Sequence, residues 1–165
     1  MNLFNEKTLE GIKNKLLKSH ETIAVAESVT SGFIQLAFST AKDASKFYQG
    51  GITAYNIGQK YKHLHVEPIH ANGCNCVSGK VATEMALNVC RLFESDWGLG
   101  ITGYAAPVEE SDNKLFAYYA IAYKDKVVAQ KKLVAKQEDS FEVQLSYVNH
   151  LLDDLKEHLI KKQPA

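Results

Sequence analysis

Two periods of apolar and polar positions run along this chain, and the switches between them mark out its elements. Leu9, Ile12, Leu16 and Leu17 recur at helical spacing and predict an amphipathic helix over roughly residues 3–19. Thr22 to Ala26 reads as a short buried strand. From Ser28 the pattern turns helical again, carrying Phe33, Ile34, Leu36 and Ala37. "GGITAY" is a second strand, entered through a glycine pair. "SGKVATEMALNVCRLF" predicts a helix with Val81, Met85, Val89, Leu92 and Phe93 on one side, and "DWGLGITG" a third strand. "LFAYYAIAYKDKVVAQKKLV" reads as a β-hairpin turning at Lys124-Asp125, without the favoured Asn-Gly or Asp-Gly pair. Leu145, Val148, Leu151, Leu152, Leu155 and Leu159 then place a long amphipathic helix from Asp139-Ser140 to about Lys162. This order implies an α/β chain, a three-layer α/β/α sandwich with a mixed sheet. With no repeat and no linker, residues 1–165 read as one domain.

Charge narrows the partners. Nineteen basic and nineteen acidic side chains give a formal net charge of zero, which argues against nucleic acid or an anionic membrane as the main partner. All the basic residues are lysines except Arg91. The start, "MNLFNEKTLEGIKNK", acquires charge too early for a secretory signal, and no apolar run approaches a membrane span. Cys74, Cys76 and Cys90 do not make an even disulfide framework. The cytoplasm is the simplest expectation.

Candidate chemistry begins in "TIAVAESVTSGFIQ", where Ser28, Thr30 and Ser31 follow an acidic residue at a strand-to-helix junction. Hydroxyls there serve as helix caps. The same geometry presents a hydroxyl beside free amides and the positive end of a helix dipole, donors suited to an oxyanion. The residues alone leave both readings open. A serine nucleophile needs a base, yet no Ser-His-Asp arrangement stands out and G-x-S-x-G is absent. A lysine serves if desolvation lowers its pKa. "GGITAYNIGQK" offers Tyr55 and Lys60, five apart just past a strand end. In such a pair the ammonium lowers the phenol's pKa and either group relays the serine proton.

Four ordered motifs resemble one family. "AESVTSG" looks like the A-E-S-C-T-G-G signature of the CinA C-terminal domain, whose studied members deamidate nicotinamide mononucleotide. "GGITAYNIGQK" is similar to its G-G-x-x-x-Y-x-x-x-x-K, "CVSGKVATEMA" to its A-V-S-x-x-V-A-x-x-M-A, and "GITGYAAP" to its x-V-T-G-I-A-G-P. The spacing needs no gap from Ala26 to about Ala122, and the tail helix also fits. The resemblance implies Ser28 as nucleophile, Tyr55 and Lys60 as the activating pair, and Thr102, beside Gly103, as a substrate contact. Ser28 would attack a carboxamide carbon, ammonia would leave, and water would hydrolyse the acyl-enzyme. Amides from Val29 to Gly32 would hold the oxyanion, with Thr30 or Ser31 as the caps and Thr30, Ser31 and Gly32 near the substrate. The resemblance implies no cofactor and no metal, a small-molecule amide as partner, and a homodimer.

The departures concentrate on phosphate recognition. The family's A-G-P is "AAP" here, with Ala106 for glycine. Glu109 and Glu110 stand where a glycine-rich loop is expected, Leu115 replaces a proline, Ala117 a glycine, and Ser31 the first glycine of T-G-G. The family's G-D-R-x-x-V-R reads "KQEDSFEV", with Glu138 and Glu142 at or near the arginine places. Glycine-rich loops and arginine forks grip phosphate, and carboxylates there invert the field. Opposed charges at a protein surface are worth on the order of a few kcal/mol, so affinity for a mononucleotide would fall by several powers of ten. Two classes follow: a serine amidohydrolase acting on an amide without phosphate, such as a riboside, or a non-catalytic relative that binds a ligand or regulates.

Other signals are weak. His63, His65, His70, Cys74 and Cys76 fall within fourteen residues, but C-x-C is not the usual zinc knuckle and no second pair follows. The resemblance places them in an irregular stretch before the Ser78 helix. "STAK" and "SDN" match penicillin-recognising motifs without the K-T-G. "GLGITG" only approximates a dinucleotide loop.

Overall fold

A computed structural model of the chain describes residues 3–136 and 139–162. Glu138 lies outside the described residues. Helix α1 (Glu6–Ser19) starts where the Asn5 side chain accepts the Thr8 amide and ends at His20 in the left-handed region. Strand β1 (Ile23–Glu27) leads through a five-residue turn to the short helix α2 (Phe33–Ser39), and β2 (Tyr48–Thr53) follows. The expected helix from Ser28 therefore begins five residues later. Left-handed Ser31 and Gly32, at φ +49° and +103°, keep the turn from continuing as helix.

Two further helices, α3 (Ile57–Leu64) and α4 (Pro68–Gly73), occupy the segment expected to be irregular. Asn56 caps α3, and the Glu67 carboxylate caps α4 ahead of a proline in its first turn. Helix α5 (Gly79–Phe93) is capped by Ser78, strand β3 is Trp97–Gly103, and the hairpin comprises β4 (Phe116–Tyr123) and β5 (Lys126–Val134). Lys124 takes φ +54° in the two-residue turn, standing in for the glycine or asparagine usual there. Helix α6 (Ser140–Lys161) starts at Asp139, whose side chain accepts the Phe141 amide.

The strands form one mixed sheet ordered β2-β1-β3-β4-β5, parallel across the first three and antiparallel beyond. Alternate residues face opposite sides. Val25, Leu99 and Ile121 join Ile12, Phe38 and Leu151 beneath α1, α2 and α6. Ala24 and Ala26 meet Val81, Met85 and Val89 on the other face, while Ala120 and Ala122 meet Ala82 and Ala86. This is the expected three-layer sandwich. Leu92 departs from its expected buried face and is half exposed.

The "GLGITG" glycines serve packing. A Cβ on Gly98 would lie 2.3 Å from the Ala86 carbonyl oxygen, and one on Gly100 2.4 Å from that of Ala82. They let α5 approach β3 closely, inside a strand rather than in a nucleotide loop.

Candidate active site

The parallel strands β1, β2 and β3 all end at the same edge of the sheet. The chain leaves β1 toward β2 and β3 toward β4, so the connections diverge between β1 and β3, where open α/β sheets hold their ligands. A cavity of about 660 Å³ lies there, lined among others by Ser28, Lys60, Cys76, Thr102 and Tyr104.

Ser28 follows β1 directly. Its amide donates to the Ile101 carbonyl of β3 at 3.1 Å, fixing the residue at the strand divergence, and it is 6% exposed. Lys60 comes from α3, where it shares a face with Leu64 and is 1% exposed. Its Nζ lies 2.8 Å from Ser28 Oγ, 2.9 Å from the Ala54 carbonyl and 3.1 Å from the Tyr55 carbonyl. Desolvation pushes its pKa below the usual lysine value, opposed by the field of Cys76. No carboxylate pairs with it among the described residues. A neutral amine has two N–H donors and one lone pair. With Nζ uncharged, the two carbonyls take the donors and the lone pair faces the serine hydroxyl; as an ammonium, Nζ donates to all three oxygens.

Tyr55 departs from its expected role. Its side chain is 73% exposed at the cavity rim, and its hydroxyl bonds to no other described residue. It contributes its backbone carbonyl, so Lys60 reaches Ser28 without a phenolic relay.

The turn after Ser28 also differs from expectation. Glu27 is fully buried, and its carboxylate accepts the amides of Gly32, Ile34 and Gln35 and the Thr30 hydroxyl. The cap of α2 is therefore this carboxylate, not Thr30 or Ser31. Thr30 is fully buried, and neither it nor Gly32 lines the cavity. The Ser31 amide turns back to the Ser28 carbonyl at 3.2 Å, while its side chain lines the cavity. These bonds withdraw Ser31 and Gly32 from the expected set of oxyanion donors. Val29 lines the cavity and its amide meets no acceptor among the described residues. The Ser28 carbonyl, in the same peptide plane as the Val29 amide, is held by the Ser31 amide at 3.2 Å, and Gln144 of α6 donates to the Val29 carbonyl of the next peptide at 2.7 Å.

Thr102 and Gly103 stand at the cavity end of β3. The Thr102 hydroxyl donates to the Cys76 carbonyl at 2.8 Å, so it shapes the wall as well as lining it. Gly103 admits no side chain, since a Cβ would fall 2.5 Å from the Ala117 Cα. Cys76 brings a thiol to the wall near Lys60, and burial pushes that thiol up. Its role beside Lys60 was hidden in the sequence by the histidine-rich run around it. That run is spread over two helices: His63 bonds Gln59, His70 bonds Ser78, and His65 ends α3. No group of three or more His, Cys, Asp or Glu is placed to hold a metal among the described residues.

Comparisons with known proteins agree with this architecture. Residues 5–159 match the CinA C-terminal domain. The chain belongs to the CinA C-terminal domain family. A CinA-like protein of Amoebophilus asiaticus is 34% identical over 158 residues, covering 94% of this chain and 38% of that protein. One from Prochlorococcus marinus is 41% identical over 113 residues, covering 67% and 26%. The chain thus spans between a quarter and two fifths of these relatives' length. Among solved structures, a CinA superfamily protein of Klebsiella pneumoniae superposes with TM-score 0.89 at 21% identity, covering 98% of this chain and 100% of that one. The Escherichia coli member gives 0.85 at 25% identity, covering 94% and 89%. No helix among the described residues is long and apolar enough to cross a membrane.

Proposed function

We propose that the chain is a serine amidohydrolase, related in chemistry to nicotinamide mononucleotide deamidases, with Ser28 as nucleophile and Lys60 as general base. The carrying observation is the 2.8 Å contact between Ser28 Oγ and a buried Lys60 Nζ that has no carboxylate partner among the described residues. Lys60 takes the hydroxyl proton as Ser28 Oγ bonds to the carboxamide carbon. The carbonyl oxygen, now anionic, faces the Val29 amide. As the tetrahedral species collapses, Lys60 returns the proton to the departing nitrogen and ammonia leaves. Water, deprotonated by the same amine, then attacks the ester, releases the acid and restores Ser28. A base so placed contributes roughly 10²–10⁴ in rate.

A fluorophosphonate probe, which labels activated serines, tests the pair without presupposing a substrate. Labelling of wild type at Ser28, its loss in Ser28→Ala and a slowing of at least about a hundredfold in Lys60→Met are expected. Folded wild type that stays unlabelled contradicts the reading.

A further inference from the structure

We infer that the site takes a small carboxamide with no anionic group, whose outer part donates a hydrogen bond to Glu110. This rests on the amidohydrolase reading for the position of the carboxamide at Ser28, but the charge argument stands on the cavity itself.

An anionic group bound here would gain most from a cation or an open helix start, and those around the cavity are already committed. Lys60 is the one lysine or arginine among the described residues that line it, and its Nζ is engaged by Ser28 and two carbonyls. Each helix start bordering the cavity carries its own cap. Glu27 holds the amide of Gly32, just before α2, and two amides of its first turn, Asn56 accepts the Gln59 amide in α3, and Asp139 accepts the Phe141 amide in α6. Two of these three caps are carboxylates. They place negative charge where a phosphate would seek the positive end of a helix.

Glu110 is the one acidic side chain among the described residues in the lining, exposed and without an ion pair among the described residues. Lys114 and Lys132 do not line the cavity; they border a neighbouring depression that Glu110 also lines, and neither forms an ion pair with it among the described residues. The Lys132 ammonium sits 4.4 Å from the centre of the Phe116 ring. At Glu110 the outer wall therefore presents a negatively charged hydrogen-bond acceptor. A ligand hydroxyl or ammonium satisfies it, and a phosphate is repelled. Nearby polar groups, the Tyr104 phenol bonded by the Asn75 amide and the Gln144 amide, suit a hydroxylated ligand in the same way.

Nicotinamide riboside and nicotinamide mononucleotide form the needed pair, since they differ by a hydroxyl against a phosphate. Binding of each is measured by calorimetry to Ser28→Ala, which removes turnover, and to Ser28→Ala/Glu110→Gln. Tighter binding of the riboside is expected, with the ratio falling about tenfold when the Glu110 charge is removed. Tighter binding of the mononucleotide overturns the inference, as does a ratio unmoved by Glu110→Gln, or binding of neither compound at millimolar concentration. The two readings fail separately. Wild type that binds in the expected order but releases no ammonia leaves the charge selectivity standing and removes the amidohydrolase reading.

Discussion

If Lys60 works as a base it must lose its proton at a pH where free lysine keeps it, and that loss is visible in stability. Lys60→Met keeps the buried stem and removes the amine. Below its lowered folded pKa, Lys60 is charged in both folded and unfolded chains, and burying that charge costs stability. As pH rises past that value the folded chain sheds the proton, while the unfolded chain keeps it up to about 10.5. The unfolded state then binds the extra proton, so stability rises with pH by about 1.4 kcal/mol per unit across that window. For a chain of this size this corresponds to about 3–5 °C in Tm per pH unit. The loss of donors to the Ala54 and Tyr55 carbonyls in Lys60→Met is a constant offset. Buried groups remote from Lys60, such as Tyr48, pushed up to about 12 by burial, titrate alike in both chains and cancel in the difference; Cys76, coupled to Lys60, is replaced by serine in both. Thermal unfolding of both proteins followed by circular dichroism from pH 7 to 10 reads this gap. Wild type gains on Lys60→Met as pH rises. Parallel curves over the whole range would mean that Lys60 stays an ammonium, and would refute the base assignment.

Three further outcomes follow from particular contacts. Glu27→Gln removes the charge from a fully buried cap that serves three amides and a hydroxyl; a loss of about 2–4 kcal/mol in urea unfolding is expected, and a loss under about 0.5 kcal/mol would contradict the capping account. Burial alone would raise the Glu21 carboxyl, but bonds from Lys162, Trp97, Tyr123 and Ser19 outweigh it and hold it at about 2 against an ordinary 4.5. Its contribution, about 3 kcal/mol, is complete above pH 4.5 and lost as pH falls toward 2, so the wild-type advantage over Glu21→Gln should shrink through that window. Cys76 should react slowly with iodoacetamide at pH 7 and faster as pH rises, because burial pushes its thiol up. The alkylated protein should lose fluorophosphonate labelling at Ser28, since the added group fills the cavity that both residues line.

How much of this was legible follows from what each residue needed. Strands and long helices announced themselves through period, and β1, α5, β3, the hairpin and α6 fall within a few residues of expectation. Helix α3 was overlooked because a lysine occupies an apolar position. Ile57, Lys60 and Leu64 do share one face after the Asn56 cap, but Lys60 reads as surface until its partners are known. Glu27 was hidden for the same reason: an acidic residue ending an apolar strand gives no sign that it will serve the next helix. Ser28 and Lys60 stood among the candidates on their residue types before the resemblance singled them out; they lie 32 residues apart in sequence and 2.8 Å apart in space. Spacing cannot separate a phenol that takes part from a carbonyl that does, and at Tyr55 it is the carbonyl that meets Lys60 while the phenol stands exposed at the cavity rim.

The most direct test of the Ser28–Lys60 pair is ammonia release from nicotinamide riboside and nicotinamide mononucleotide by wild type, Ser28→Ala and Lys60→Met, each verified as folded. The account predicts turnover of the riboside by wild type, none by Ser28→Ala, and a loss of at least about a hundredfold in Lys60→Met. Equal turnover by wild type and Ser28→Ala would contradict it.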